Sequence, residues 1–146
     1  MPRGPSKIDL LADIPLFSAC TKKELSKIAS LADQVSVDNG TEVTTEGARG
    51  WEFFVIADGA AGVYVGGRKI DELRRGDFFG EMALLDQGPR SATVKALGPM
   101  SLYVIGAKEF RRLLDEVPFV SRRILQGMAK RLRGLASASR SEWSRL

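Results

Sequence analysis

A chain of 146 residues, 44% of them hydrophobic, has the length and apolar content of one domain with a buried core. It holds no histidine and one cysteine, which excludes Ser-His-Asp and Cys-His nucleophile pairs, histidine general bases, an intramolecular disulfide and a cysteine zinc cluster. The net charge of +4 is unevenly placed: from Val120 onward seven basic residues accompany one acid, Glu142, so residues 1–119 carry −2.

The opening MPRGPSKIDLLADIP lacks the apolar stretch of a signal peptide, and no apolar run approaches the length of a membrane span. Both points, with the lone cysteine, indicate a cytoplasmic chain with no membrane span. SKIDLLADI places Ile8, Leu11 and Ile14 at helical spacing and stops at Pro15. TKKELSKIASLA follows, with Thr21 and Glu24 at the spacing of a capping box and Leu25, Ile28, Ala29 and Ala32 on one face. These signals predict N-terminal helices over residues 1–34, with Cys20 a small buried or half-buried residue beside a helix start.

From Val35 the pattern changes to short β-prone runs: QVSV, TEVTT, WEFFVIA, AGVYV, KIDEL, SATVKAL and SLYVI. Turns around Gly40, Gly47, Gly50, Gly59, Gly66-Gly67, Gly76 and Gly98-Pro99 separate them. Turn signals every eight to twelve residues or so predict a sandwich or barrel. AKEFRRLLDEV then sets Phe110, Leu113, Leu114 and Val117 on one stripe, which Pro118 ends. PFVSRRILQGMAKRLRGLA sets Val120, Ile124, Met128, Leu132 and Leu135 on another, opposite a basic face. Gly127 weakens that helix by roughly 1 kcal/mol relative to Ala. The final ASASRSEWSRL loses the periodicity and is expected to fray.

The fold class that results is α+β, mainly β. A β-roll or jelly-roll of about eight short antiparallel strands spans 35–106, flanked by the N-terminal helices and, over 107–146, by two C-terminal helices with a basic tail. No internal repeat or low-complexity linker divides the chain, so residues 1–146 read as a single domain.

One stretch carries chemistry: FGEMALLDQGPRSATVKA, residues 79–96. Gly80 permits a tight turn and close approach of a ligand, and EMALLD opens a short helix whose first amides lack internal acceptors. Glu81 can accept hydrogen bonds from hydroxyls, and Arg90 offers a planar fork suited to phosphate oxygens. Small neighbours at Ser91 and Ala92 keep the wall thin. These parts suit a sugar phosphate. The same residues also fit a plainer arrangement, in which Glu81 caps its helix and pairs with Arg90 across a turn.

The stretch resembles the phosphate-binding cassette of the cyclic nucleotide-binding domain family, which includes the bacterial catabolite activator protein and the regulatory subunits of cyclic-AMP-dependent kinase. The match runs through Phe79-Gly80-Glu81, Ala83-Leu84, Pro89-Arg90-Ser91-Ala92-Thr93-Val94 and Ala96. EGARGWEFFVIADG adds the upstream glycines Gly47, Gly50 and Gly59, and the likeness extends from about Pro15 to Leu135. It implies a cyclic nucleotide sensor with ligand-binding residues Gly80, Glu81, Met82, Ala83, Leu84, Pro89, Arg90, Ser91 and Ala92. Glu81 would accept the ribose 2′-hydroxyl, and the Gly80 backbone would lie against the sugar. Arg90 would neutralise the cyclic phosphate, with the amides of Ala83, Leu84 and Ala92 and the Ser91 hydroxyl completing the cradle. Ser91 favours cyclic AMP over cyclic GMP, because Thr at this position goes with cyclic GMP in the family. The base cap would come from the last helix or just after it, where Leu132, Arg133, Leu135 and Trp143 are candidates.

No cofactor or metal is implied beyond the nucleotide ligand. The last helix is followed by no helix-turn-helix pattern, so sequence-specific DNA binding is not expected; the chain reads as a free-standing sensor, which the starting Met favours, or as a fragment of something longer. The expected partners are the cyclic nucleotide and either a second copy, through the C-terminal helix, or an effector protein. Other readings stay open: a degenerate β-roll that dimerises without binding nucleotide, a nucleic-acid binder using the basic tail, and an enzyme. The missing histidine and the lack of a catalytic constellation speak against the enzyme.

Overall fold

The structure is a computed structural model that describes the backbone of residues 6–143 and the side chains of residues 6–134. Helix α1 (Lys7–Ala12), a 3-10 turn (Pro15–Phe17) and helix α2 (Lys22–Leu31) come first. The Thr21–Glu24 capping box forms: Glu24 N donates to Thr21 Oγ1 at 3.1 Å, and Thr21 N donates to Glu24 Oε1 at 2.9 Å. Strand β1 (Ala32–Val37) follows α2 directly. The helical region therefore ends before residue 34. The alternating run from Asp33 to Val37 pairs with residues 100–104, and that ladder takes the chain away from the helical stripe at Ala32.

The remaining strands are β2 (Glu42–Thr44), β3 (Glu52–Asp58), β4 (Ala60–Val65), β5 (Arg68–Arg74), β6 (Phe78–Phe79), β7 (Thr93–Ala96) and β8 (Met100–Gly106). Helix α3 (Glu81–Leu85) sits between β6 and β7. Two antiparallel four-stranded sheets result, ordered β1-β8-β3-β6 and β2-β7-β4-β5. Alternation along β3 explains its apolar run. Phe53 and Val55 enter a cluster with the helices, whereas Phe54 and Ile56 enter the cluster between the sheets. A strand buried on both faces needs no polar alternation.

Helices α4 (Ala107–Glu116) and α5 (Pro118–Trp143) close the fold over the first sheet. Pro118 takes the first position of α5, where its missing N–H costs nothing. The helix continues through the segment expected to fray, in which Ala136, Ala138, Arg140 and Glu142 are all good helix formers. Val120 and Ile124 are buried against the sheet, but Leu132 is 68% exposed. Successive steps of four residues each overshoot a full turn by about 40°, so a stripe written at that spacing winds off its face within three steps. Arg131 occupies the inward position instead.

Candidate functional site

Gly80 ends β6 in the left-handed region, with φ 91 and ψ −3, and turns the chain into α3. A Cβ there would lie 2.7 Å from Arg90 Nη1 and 2.9 Å from the Glu52 carbonyl oxygen, so only glycine fits both the angle and the space. Arg90 is 7% exposed. Its guanidinium donates from Nη1 to Gly80 O at 3.0 Å and from Nη2 to Glu52 O at 2.8 Å, and lies 5.5 Å from the Phe54 ring centroid. Main-chain bonds fix the segment: Arg90 N donates to Ala48 O at 2.8 Å and Gly47 N donates to Arg90 O at 2.9 Å. Thr44 Oγ1 anchors the start of β7 by donating to Ala92 O at 3.1 Å. Burial lowers the Arg90 pKa, against the opposing pull of the Glu52 and Glu81 carboxylates.

Glu81, the first residue of α3, is 2% exposed. Burial raises its carboxyl above the ordinary range, while Arg131 and, more weakly, Arg90 pull it down. Arg131 reaches from α5 to place Nη1 2.8 Å from Glu81 Oε1; it also donates through Nη2 to Phe78 O, with its Cζ 4.8 Å from the Phe78 ring centroid. Gly127, one turn earlier, allows this approach: a Cβ there would stand 2.6 Å from Phe78 Cζ. The site is thus a buried carboxylate and a buried guanidinium about a tight turn, with α5 tied to the carboxylate. An anion beside Arg90 and a hydroxyl on Glu81 Oε2 are what this arrangement can accept.

Comparison with known proteins agrees with that chemistry. The family described as Cyclic nucleotide-binding domain matches residues 34–117. This chain belongs to the cyclic nucleotide-binding domain family. Among similar proteins, the cAMP-dependent protein kinase regulatory subunit of Colletotrichum orbiculare is 35% identical over 117 residues, covering 79% of this chain and 30% of that protein. The Aspergillus fumigatus regulatory subunit is 38% identical over 116 residues, covering 77% and 28%. The chain therefore spans less than a third of these relatives. A solved structure described as Sp-2Cl-cAMPS bound to PKAR CBD2 superposes with a TM-score of 0.75 at 30% identity, covering 88% of each chain. The Thermus thermophilus catabolite activator protein gives 0.74 at 28% identity, covering 84% of this chain and 60% of that one.

Within this member of the family, the cassette residues come together unevenly. Gly80, Glu81, Ala83, Leu84 and Arg90 converge on one turn, all but the half-buried glycine being buried. Met82, Pro89 and Ser91 are exposed, and Ala92 is half-buried. Leu84 belongs to the same apolar cluster as Phe110 and Leu113 of α4, whereas Leu85 points outward. Of the base-cap candidates, Leu132 and Arg133 are exposed, and the side chains of Leu135 and Trp143 lie outside the described residues. Sequence reasoning missed Glu52 and Arg131, and took Gly50 for a turn glycine alone. Glu52 acts through its carbonyl, which leaves no side-chain signal. Gly50 is a packing requirement: a Cβ there would lie 2.5 Å from Arg90 Cζ. Arg131 is one of the basic residues of a helix whose stripe leaves it out, although its spacing of seven from Ile124 and four from Gly127 places it inside.

Proposed function

We propose that this domain is a cyclic nucleotide sensor, with cyclic AMP its preferred ligand over cyclic GMP, that transmits occupancy to α5 through Glu81. The observation that carries the reading is the carboxylate at Glu81 held between the cassette and Arg131 of α5. The relatives named for cyclic AMP support the choice of ligand. The phosphate takes Arg90 and the amides of Ala83, Leu84 and Ala92, and the ribose hydroxyl takes Glu81 Oε2. The ligand and α5 then share one carboxylate. Occupancy draws α3 and Leu84 against α4 and holds α5 over the base.

The ligand can bias α5 only through different affinities for its two positions. A change from 1:99 to 99:1 needs about 5.5 kcal/mol. One charge-assisted hydrogen bond at Arg90 supplies roughly 1.5–3 kcal/mol, so Glu81, the amides and base stacking must supply the rest. None of these residues forms a nucleophile–base pair, and we read the site as binding rather than catalytic; cyclic AMP left intact after prolonged incubation is the expected result. Calorimetric titration with cyclic AMP and cyclic GMP tests the assignment. Micromolar or tighter binding of cyclic AMP is expected, weakened by about 2–5 kcal/mol in Arg90→Ala. No heat from either nucleotide with folded, nucleotide-free protein would favour a degenerate β-roll that serves as an interaction module.

A further inference from the structure

Beside the cassette, sharing Ala83 and Leu84 with it, lies a cleft of about 280 Å³ whose other lining residues the nucleotide reading does not use. Its floor and rim come from three segments: the β2–β3 loop with Arg49 and Trp51, the α3–β7 loop with Gln87, and α4 with Arg111. We propose that this cleft docks an acidic peptide segment of a partner protein, and that the docking is read out by Arg90. Only the coupling, not the docking, rests on the proposed nucleotide function.

Charge is the first argument. No acid lines the cleft, and neither Arg49 nor Arg111 has an ion-pair partner among the described residues. Two exposed guanidinium groups without carboxylates present a field that an acidic segment completes. The second argument is the aromatic. Trp51 is 62% exposed, and the Arg49 Cζ lies 5.6 Å from its ring centroid. A large apolar ring backed by a cation is the type of surface that anchors protein partners.

Rigidity is the third argument. Arg49 bridges to Pro89 and Ala107 N donates to Trp51 O at 2.8 Å, so all three walls are pinned before any partner arrives and little ordering has to be offset. A nucleic-acid strand fits less well. It would need successive stacking platforms, whereas one aromatic lines the cleft.

The coupling follows from a shared wall. A Cβ on Gly50 would meet Arg90 Cζ at 2.5 Å and Ala83 Cβ at 2.9 Å, so the cation that holds the phosphate stands directly behind the docking surface. A phosphate neutralising Arg90 removes part of the field that attracts the acidic segment. Nucleotide and peptide therefore weaken one another by the same factor.

The probe is a synthetic pentapeptide of four glutamates around one leucine, with its lysine counterpart as control. Trp51 fluorescence in a Trp143→Phe background and the amide shifts of Gly50, Ala83 and Gly88 report docking in the absence of nucleotide. The acidic peptide is expected to move these signals and the basic one to leave them unchanged. Arg49→Glu and Arg111→Glu should each weaken binding about fivefold or more, while Arg122→Glu with Lys130→Glu on α5 should leave it unchanged. Saturating cyclic AMP should lower the peptide affinity by about fivefold or more. Shifts centred on α5, binding that survives the Arg49 and Arg111 reversals, or stronger effects from a single-stranded oligonucleotide would overturn the docking. Calorimetrically confirmed nucleotide binding with unchanged peptide affinity would overturn the coupling while leaving the sensor reading intact.

Discussion

Arg90 owes its position to main chain rather than to a carboxylate: its two nitrogens rest on the carbonyls of Gly80 and Glu52. That makes Gly50 as important as the arginine it touches. Gly50→Ala forces the guanidinium from its seat, because the new Cβ has Arg90 on one side and Ala83 on the other. The expected cost is about 1–3 kcal/mol of stability from overpacking, together with weaker cyclic nucleotide binding. Chemical denaturation and titration of the same variant check both. Unchanged binding would show that Arg90 does not need this seat to hold phosphate.

Glu81 makes a prediction about pH. Burial raises its carboxyl, so the fold favours the protonated form. The stability this group contributes is present in full below the unfolded value of about 4.3 and is lost as pH rises through the folded value. Arg131 opposes the shift, and removing it raises the carboxyl further. Arg131→Met should therefore cost little at pH 4, where a neutral carboxyl needs no partner, and about 1–3 kcal/mol at pH 8, since solvent screens the part-exposed arginine end of the pair. Urea unfolding at the two pH values measures the difference. An equal deficit at both would remove the carboxylate from the account.

At the scale of elements, α5 is held by a narrow contact: Val120 and Ile124 bury its first turns, and beyond them Gly127 against Phe78 and Arg131 on Glu81 keep it close. Propensity and packing oppose each other at Gly127. Alanine there favours an isolated helix by about 1 kcal/mol, yet its Cβ would meet a phenyl ring already wedged 5.8 Å from the Phe53 ring. Packing should win. Gly127→Ala is expected to lower the melting temperature and to lift the following turn, so that Arg131 no longer protects Glu81. A melting temperature raised by the substitution would mean that Phe78 yields and that α5 is not anchored there.

For the whole molecule, local patterns were enough for the architecture. The capping box at Thr21, the glycine-punctuated strands and the proline between α4 and α5 each act over a few residues, and each appears where its chemistry requires. The cassette was equally legible, because Gly80, Glu81 and Arg90 lie within one short stretch. What could not be read are contacts that join distant segments. Glu52 and Arg90 are 38 residues apart and Glu81 and Arg131 are 50 apart, and in both cases only the folded topology brings them together. Helix geometry could have turned Arg131 inward, since counting in true turns rather than in fours moves Leu132 out. The boundary at Ala32 depended on a strand seventy residues downstream.

The central claim is that a cyclic nucleotide at the cassette and α5 share Glu81, and amide hydrogen exchange with and without saturating cyclic AMP tests it most directly. Slower exchange is predicted both in residues 79–96 and in α5 from Pro118 to Gly134, with the α5 protection lost in Arg131→Met. Protection confined to the cassette, with α5 exchanging at its unliganded rate, would contradict the coupling of ligand to helix.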